Sequence, residues 1–148
     1  MVADGERKTI LLIEDNLGDI RLIREALKSS GDRCNLEIAR DGIEGMTYLR
    51  QEGEFQHVNH PDLVLLDLNL PRKDGREVLA DIKADPALKH IPVVVLSTSR
   101  SEDDISKSYD LHVNCFISKS RNLAQLFEIV RGIEEFWLAT ATLPSPRR

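Results

Sequence analysis

The chain has 148 residues, about the length of one domain with a single sizeable core. Its 41% hydrophobic and 30% charged residues suit a soluble globular protein, and a net charge of −5 disfavours nonspecific binding to nucleic acid or anionic lipid. No apolar run approaches the roughly 18 residues of a membrane span, and Met1 to Arg7 lacks a signal-peptide core, so a cytoplasmic protein with no membrane and no nucleic-acid partner is expected.

In chain order, residues 1–7 read as a disordered segment, and Thr9 to Ile13 as a strand apolar enough to be covered on both faces. A helix follows from Leu17 to Ser30, with Leu17, Ile20, Ile23, Ala26 and Leu27 on its core face. Leu36 to Ala39 is a short second strand. Asp41-Gly42 signals a turn, and Ile43, Met46 and Leu49 then mark a helix ending near Gln51. Glu52 to Pro61 reads as a long polar loop and Leu63 to Leu66 as the third strand. Gly75 to Asp85 forms a helix carrying Val78, Leu79 and Ile82, stopped by Pro86. After a fourth strand, Val93 to Leu96, Ser101 to Asp104 fits an acidic capping box opening a polar helix to about Tyr109. Asn114 to Ser118 is the fifth strand. The last helix, Asn122 to Leu138, carries Leu123, Leu126, Phe127, Val130, Ile133 and Trp137. Residues 139–148 read as a flexible tail, which leaves one folded domain over 8–138. Strand and helix patterns alternating in this way predict an α/β fold, a doubly wound parallel sheet for which the flavodoxin-like (βα)5 order 2-1-3-4-5 is one option.

Parallel strands present their C-terminal ends along one edge, where ligands of open α/β sheets bind. Here the strands end in Glu14-Asp15, Asp67, Ser97-Thr98 and Lys119. Three carboxylates near one point repel, each pair by roughly 4 kcal/mol at about 4 Å with an effective dielectric of about 20. A Mg²⁺ ion, which prefers oxygen ligands, would relieve that conflict. An Asp oxygen held in such a field can attack phosphorus, with Lys119 neutralising one phosphoryl oxygen and the Ser97 hydroxyl donating to another. Taken singly, most of these signals have a plainer explanation: acids favour helix starts, a strand-end lysine is usually solvated, and Ser-Thr-Ser often opens a loop, whereas Asp67 at the end of an apolar strand needs a partner. Asp19 and Asp74 read as turn or solvated residues. His57, His60, His90 and His112 lack ligand spacing, and Cys34 and Cys115 read as reduced structural thiols.

In this order and spacing the four stretches resemble the receiver domain of two-component response regulators, over Lys8 to about Trp137. Glu14-Asp15-Asn16 resembles the family's acidic pair, and Asp67-Leu68-Asn69-Leu70-Pro71 with Gly75 its phosphoacceptor loop. Ser97-Thr98 matches the hydroxyl switch position, Lys119 the family lysine and Phe116 the aromatic that swings inward on phosphorylation. The resemblance implies the flavodoxin-like fold, with Asp67 as phosphoacceptor and Mg²⁺ as cofactor. It also implies Asp15, Asp67 and the Asn69 carbonyl as direct metal ligands, with Glu14 holding metal-bound water. Asn114 to Asn122, the Glu52 to Pro61 loop and the ending Ile133 to Leu138 are similar to single-domain regulators paired with cyanobacterial phytochrome kinases. A sensor histidine kinase of the phytochrome type is then the expected phosphodonor, with output through a further, unidentified protein. Such a chain is a signalling phosphoprotein that promotes its own phosphorylation and dephosphorylation rather than an enzyme acting on other substrates. A receiver-shaped adaptor acting without phosphorylation is the alternative. A haloacid-dehalogenase-type phosphatase is disfavoured by Asn69, which cannot act as general acid, and a flavin binder by the lack of a Gly-rich or Ser/Thr-rich phosphate cradle after the first strand.

Two departures from the family pattern stand out. Ser120 follows the lysine where receivers generally have a cis proline, so a trans Lys119–Ser120 bond is expected. His112 occupies a turn where many have Gly, at a cost if φ is positive. Ile129 and Phe136 widen the apolar stripe of the last helix, and a homodimer through that helix and the fifth strand is expected.

Overall fold

Runs of Val, Leu and Ile flanked by turn residues need cover on both sides, and the computed structural model, which describes residues 7–29, 31 and 33–144, supplies it. The strands β1 (Lys8–Ile13), β2 (Cys34–Ala39), β3 (Leu63–Leu66), β4 (Val93–Ser97) and β5 (Cys115–Ser118) form one parallel sheet, ordered β2-β1-β3-β4-β5. The helices are α1 (Leu17–Ser29), α2 (Gly42–Leu49), α3 (Gly75–Ala84), α4 (Glu102–Asp110) and α5 (Leu123–Glu134). This is the flavodoxin-like doubly wound (βα)5 arrangement expected from the alternating pattern.

The two-residue period of the strands divides the core into two layers. Ile10, Leu12, Leu63, Leu65, Val94 and Leu96 face α1 and α5, against Ile20, Ile23, Ala26, Leu126, Val130 and Ile133. Leu11, Ile13, Val64, Leu66, Val93 and Val95 face the other way, against Met46 and Leu49 of α2 and Val78, Leu79 and Ile82 of α3. Burying one such side chain contributes about 1.5–3 kcal/mol, so these layers hold the sheet and leave its C-terminal edge free for polar residues.

Several expectations need correction. Leu17, Leu123 and Ile43 are exposed, at 65%, 67% and 44%, although their spacing placed them with core residues. Leu17 and Leu123 are the first residues of α1 and α5, and Ile43 is the second of α2. These helix starts overhang the ends of the strands, so a residue there has the right phase but no sheet beneath it. The stretch Glu52 to Pro61 is the long loop expected, with local order inside it. A 3-10 turn at Gly53–Phe55 stacks Phe55 on Tyr48 at 5.1 Å, and His60 and Pro61 are buried. Just beyond, Asp62 Oδ2 accepts a hydrogen bond from the Thr9 N–H at 2.9 Å, tying the loop end to β1. The last helix does not run evenly to Leu138: α5 gives way to a π-helical turn, Glu135–Thr140, which reaches into the stretch expected as a tail. Residues 1–6 of the expected N-terminal segment and 145–148 of the expected tail lie outside the described residues. Among the described residues no helix is long and apolar enough to cross a membrane.

α4 ends in a Schellman turn: the Val113 N–H donates to Ser108 O at 3.0 Å and the His112 N–H to Tyr109 O at 2.9 Å. His112 sits between them at φ +69°, the left-handed position that glycine occupies without steric cost. His112→Gly should therefore stabilise the fold by about 0.5–1 kcal/mol. In urea unfolding the midpoint would rise with an unchanged slope; an unchanged or lower midpoint would contradict this account.

Candidate functional site

Strand register brings the polar ends together. Ile13 pairs with Leu66, so the next residues, Glu14 and Asp67, lie level on adjacent strands. Ser97 pairs with Ser118, so Lys119 follows one step later on β5. Continuing the alternation of each strand, Glu14, Asp67 and Lys119 fall on the α1/α5 side and Ser97 on the side of α2 and α3.

Asp67 is held by its backbone: its N–H donates to Ile13 O at 3.1 Å. The loop after it folds tightly back, with the Gly75 N–H donating to Leu68 O at 2.9 Å. Gly75 is required there, because a Cβ would lie 2.2 Å from the Asp67 carbonyl oxygen and 2.5 Å from Leu68 Cα. Glu14 is buried and both its oxygens are engaged. Oε2 accepts the N–H groups of Asp15 and Asn16, each at 3.1 Å, and Oε1 accepts from Lys119 Nζ at 2.7 Å. Lys119 is 5% exposed, and its Nζ also donates to Asp19 Oδ2 at 2.8 Å. Burial alone would lower its pKa, but hydrogen bonds to Asp19 and Glu14 and the charges of Glu14 and Asp67 outweigh burial and raise it.

The Asp67 carboxyl is pushed up to about 7, first by burial and then by the negative charge of Glu14; Lys119 and the Asn69 N–H offset only part of this. Glu14, Asp15 and Asp67 offer oxygens that all lie within 4.8 Å of one another. That donor set, hard, anionic and short of positive charge, is chemically suited to a divalent cation.

Of the other expected residues, Asn69 reaches this centre through its backbone N–H, which bonds to the Asp67 carboxyl. Ser97 is fully buried, its Oγ accepting the Ser99 N–H at 3.2 Å, while Thr98 and Asn69 are exposed. Phe116 packs partly buried in the layer facing α2 and α3, and its N–H donates to Tyr109 Oη at 3.2 Å. Asp19, read from sequence as a turn or solvated residue, is instead the second carboxylate on Lys119. An acid in the first turn of a helix has a ready local explanation, and nothing in the sequence pointed to a partner 100 residues away. Asp104 also does more than cap. Its N–H donates to Ser101 Oγ, but its carboxylate accepts Ser99 Oγ at 2.7 Å and the Arg76 guanidinium at 2.8 Å.

Residues 10–131 match the family model described as response regulator receiver domain. Response regulator Rcp1 of Synechocystis sp. (strain ATCC 27184 / PCC 6803 / Kazusa) is 59% identical over 138 residues, covering 93% of this chain and 94% of that protein. Among solved structures, the phosphorylated cyanobacterial phytochrome response regulator RcpA superposes with a TM-score of 0.91 at 68% identity, covering 94% of this chain and 99% of that one. The Mn²⁺-bound form of Rcp1 gives a TM-score of 0.90 at 59% identity, covering 93% of this chain and 99% of its own.

With no metal bound, a carboxyl raised from 3.8 to about 7 on folding costs stability as pH rises from about 4, and the full cost is reached above about 7. Asp67→Asn should therefore stabilise the metal-free protein more at pH 8 than at pH 5. The expected gain at pH 8 is about 2 kcal/mol, half the full shift because the carboxyl meets solvent at one edge, or about 5 °C in Tm. Thermal melts in chelator at the two pH values test this, and an equal gain at both would refute the electrostatic cause.

Proposed function

We propose, for a chain that belongs to the response regulator receiver domain family, that Asp67 accepts a phosphoryl group from the phosphohistidine of a sensor kinase in a Mg²⁺-dependent reaction. The observation that carries this reading is the pairing of a buried carboxyl pushed up to about 7 with Glu14, Asp15 and Lys119 at one edge of the sheet. Asp15, Asp67 and the Asn69 carbonyl would hold the metal directly, and Glu14 would hold it through water. Bound there, the cation offsets the negative charge that accumulates as two anionic groups approach.

The chain's own residues do the rest. Asp67, deprotonated, supplies a carboxylate oxygen that bonds to phosphorus as the phosphorus–nitrogen bond of the donor breaks and its electron pair leaves with the imidazole. Lys119 balances one phosphoryl oxygen as a point charge. The Ser97 hydroxyl, which already accepts from the Ser99 N–H, keeps its own proton to donate to another. Drawing Ser97 toward the phosphoryl group shifts the population of β4, Thr98, α4 and Phe116 toward a signalling conformation. Water then attacks the phosphorus of the acyl phosphate, the bond to the Asp67 oxygen breaks with its electron pair on the carboxylate, and inorganic phosphate leaves.

The donor this reading favours is a phytochrome-type histidine kinase, on the strength of RcpA and Rcp1. Leu17 and Leu123, exposed on the first turns of α1 and α5 beside the site, give such a partner apolar footholds. Output runs through contacts with a further protein and through a homodimer on β5 and α5. A groove of about 570 Å³ there is lined by Cys115, Ile117, Ile129, Ile133, Phe136 and Trp137, and the bare Gly132 leaves room for close approach.

Intact-mass spectrometry after incubation with a small phosphodonor should add the mass of one phosphoryl group to the wild type when Mg²⁺ is present, and nothing to Asp67→Asn. A wild type that gains no phosphoryl group and binds no beryllofluoride would overturn the phosphoacceptor assignment. For the dimer, sedimentation at about 50 µM should show association that Phe136→Glu abolishes. A monomer both with and without beryllofluoride would remove that part of the proposal.

A further inference from the structure

Lys119 has three protons to donate, and in the resting structure two go to carboxylates other than the proposed phosphoacceptor. Nζ lies 2.7 Å from Glu14 Oε1 and 2.8 Å from Asp19 Oδ2; Asp67 acts on Lys119 through its charge. The two partners are not equivalent. The Glu14 side chain is 2% exposed and held by two backbone N–H groups, so it cannot release the ammonium without stranding a buried charge. The Asp19 side chain is 25% exposed, and water can take over its hydrogen bonds. The backbone of Asp19 is fixed, with its N–H donating to Asn16 Oδ1 at 2.9 Å, so release requires only side-chain rotation.

We propose that Asp19 is a positioning residue that holds the Lys119 ammonium away from Asp67 in the unphosphorylated protein and surrenders it when a phosphoryl group arrives. The proposal rests on Asp67 being the phosphoacceptor. A phosphoryl group on Asp67 presents three anionic oxygens to an ammonium on a flexible stem, anchored on one side by Glu14. Asp19 is then the contact that breaks, and it competes with the phosphoryl group for Lys119. Its affinity for the ammonium raises the free-energy cost of entering the phosphorylated state and so favours the resting state.

The test is beryllofluoride affinity, measured by calorimetry at saturating Mg²⁺ for wild type, Asp19→Asn, Lys119→Met and the double variant. If Asp19 acts through Lys119, Asp19→Asn tightens binding about fivefold, the scale of one ion pair, and has no effect once Lys119 is Met. A tightening of equal size in both backgrounds would mean that Asp19 contributes only its charge, and an unchanged affinity would mean that it does not compete; either overturns the proposal. A wild type that binds no beryllofluoride would instead overturn the phosphoacceptor reading, and this inference with it. Because Lys119→Met deprives buried Glu14 of its cation and can unfold the chain, the crystal structure of the wild-type Mg²⁺–beryllofluoride complex is the second measurement. Lys119 Nζ should there lie beyond hydrogen-bond distance of Asp19 and donate to a fluoride. An intact Lys119–Asp19 bond in that complex would contradict the proposal.

Discussion

Lys119 supplies the positive charge that lets Glu14, Asp19 and Asp67 crowd together at one edge of the sheet. One ammonium among these carboxylates leaves the cluster short of positive charge, and the shortfall is borne by Asp67, the carboxyl pushed up to about 7. Glu14, by contrast, has both oxygens engaged, Oε2 by two backbone N–H groups and Oε1 by the ammonium. The least satisfied acid is thus the one proposed to react. A folded core would gain nothing from such an arrangement, since removing one partner of a buried ion pair costs about 3–5 kcal/mol while the pair itself adds little. The cluster is tolerated because it sits past the ends of the strands, where the apolar layers no longer set the packing.

The same alternation that gathers the carboxylates separates two roles. Glu14, Asp67, Lys119 and Asp19 lie on the side of α1 and α5, whereas Ser97 and Phe116 belong to the opposite layer. Contacts on that second side run continuously. The Ser99 N–H donates to Ser97 Oγ, Ser99 Oγ donates to Asp104, and Arg76 of α3 bridges Asp104 and Asp74 at 2.8 and 3.1 Å. Ser118 Oγ also donates to the Ser99 carbonyl at 3.3 Å. The loop between β4 and α4 is therefore bonded at Ser99 to both flanking elements and to β5. Bonds between charged groups strengthen this junction without burying it, which suits a segment proposed to adopt two positions.

How much of this the sequence disclosed depends on the range of the interaction. The strands were legible because apolar runs end in acids, a hydroxyl and a lysine, whereas their order was one option among several until the receiver resemblance implied it. Helix starts were less so: Leu17 and Leu123 have core spacing, and only the position of the sheet's edge shows that nothing lies beneath them. Asp19 was hidden for a different reason, since the helix dipole already accounts for an acid in a first turn and its partner is supplied by the far end of the chain. The Glu52 to Pro61 stretch is the polar loop its composition predicts, and what composition could not show is the 3-10 turn at Gly53–Phe55 and the bond from Thr9 to Asp62 that fixes the chain just beyond it to β1.

Ser120 shows why a departure from a family pattern need not alter the chemistry beside it. The Lys119–Ser120 bond is trans, as the absence of proline implies, and the turn is rebuilt from hydrogen bonds. Ser120 Oγ accepts the Asn122 N–H at 3.1 Å and donates to Gln125 Oε1 at 2.7 Å, while Asn122 Oδ1 caps α5 by accepting the Gln125 N–H at 3.1 Å. Lys119 itself is placed from the other direction, by its N–H donating to the Ser97 carbonyl in the β4–β5 ladder. The position of the ammonium therefore depends on strand register and not on the turn that follows. Ser120 and Asn122 thus set the start of α5, while Glu14 and Asp19 determine how the lysine beside them is held.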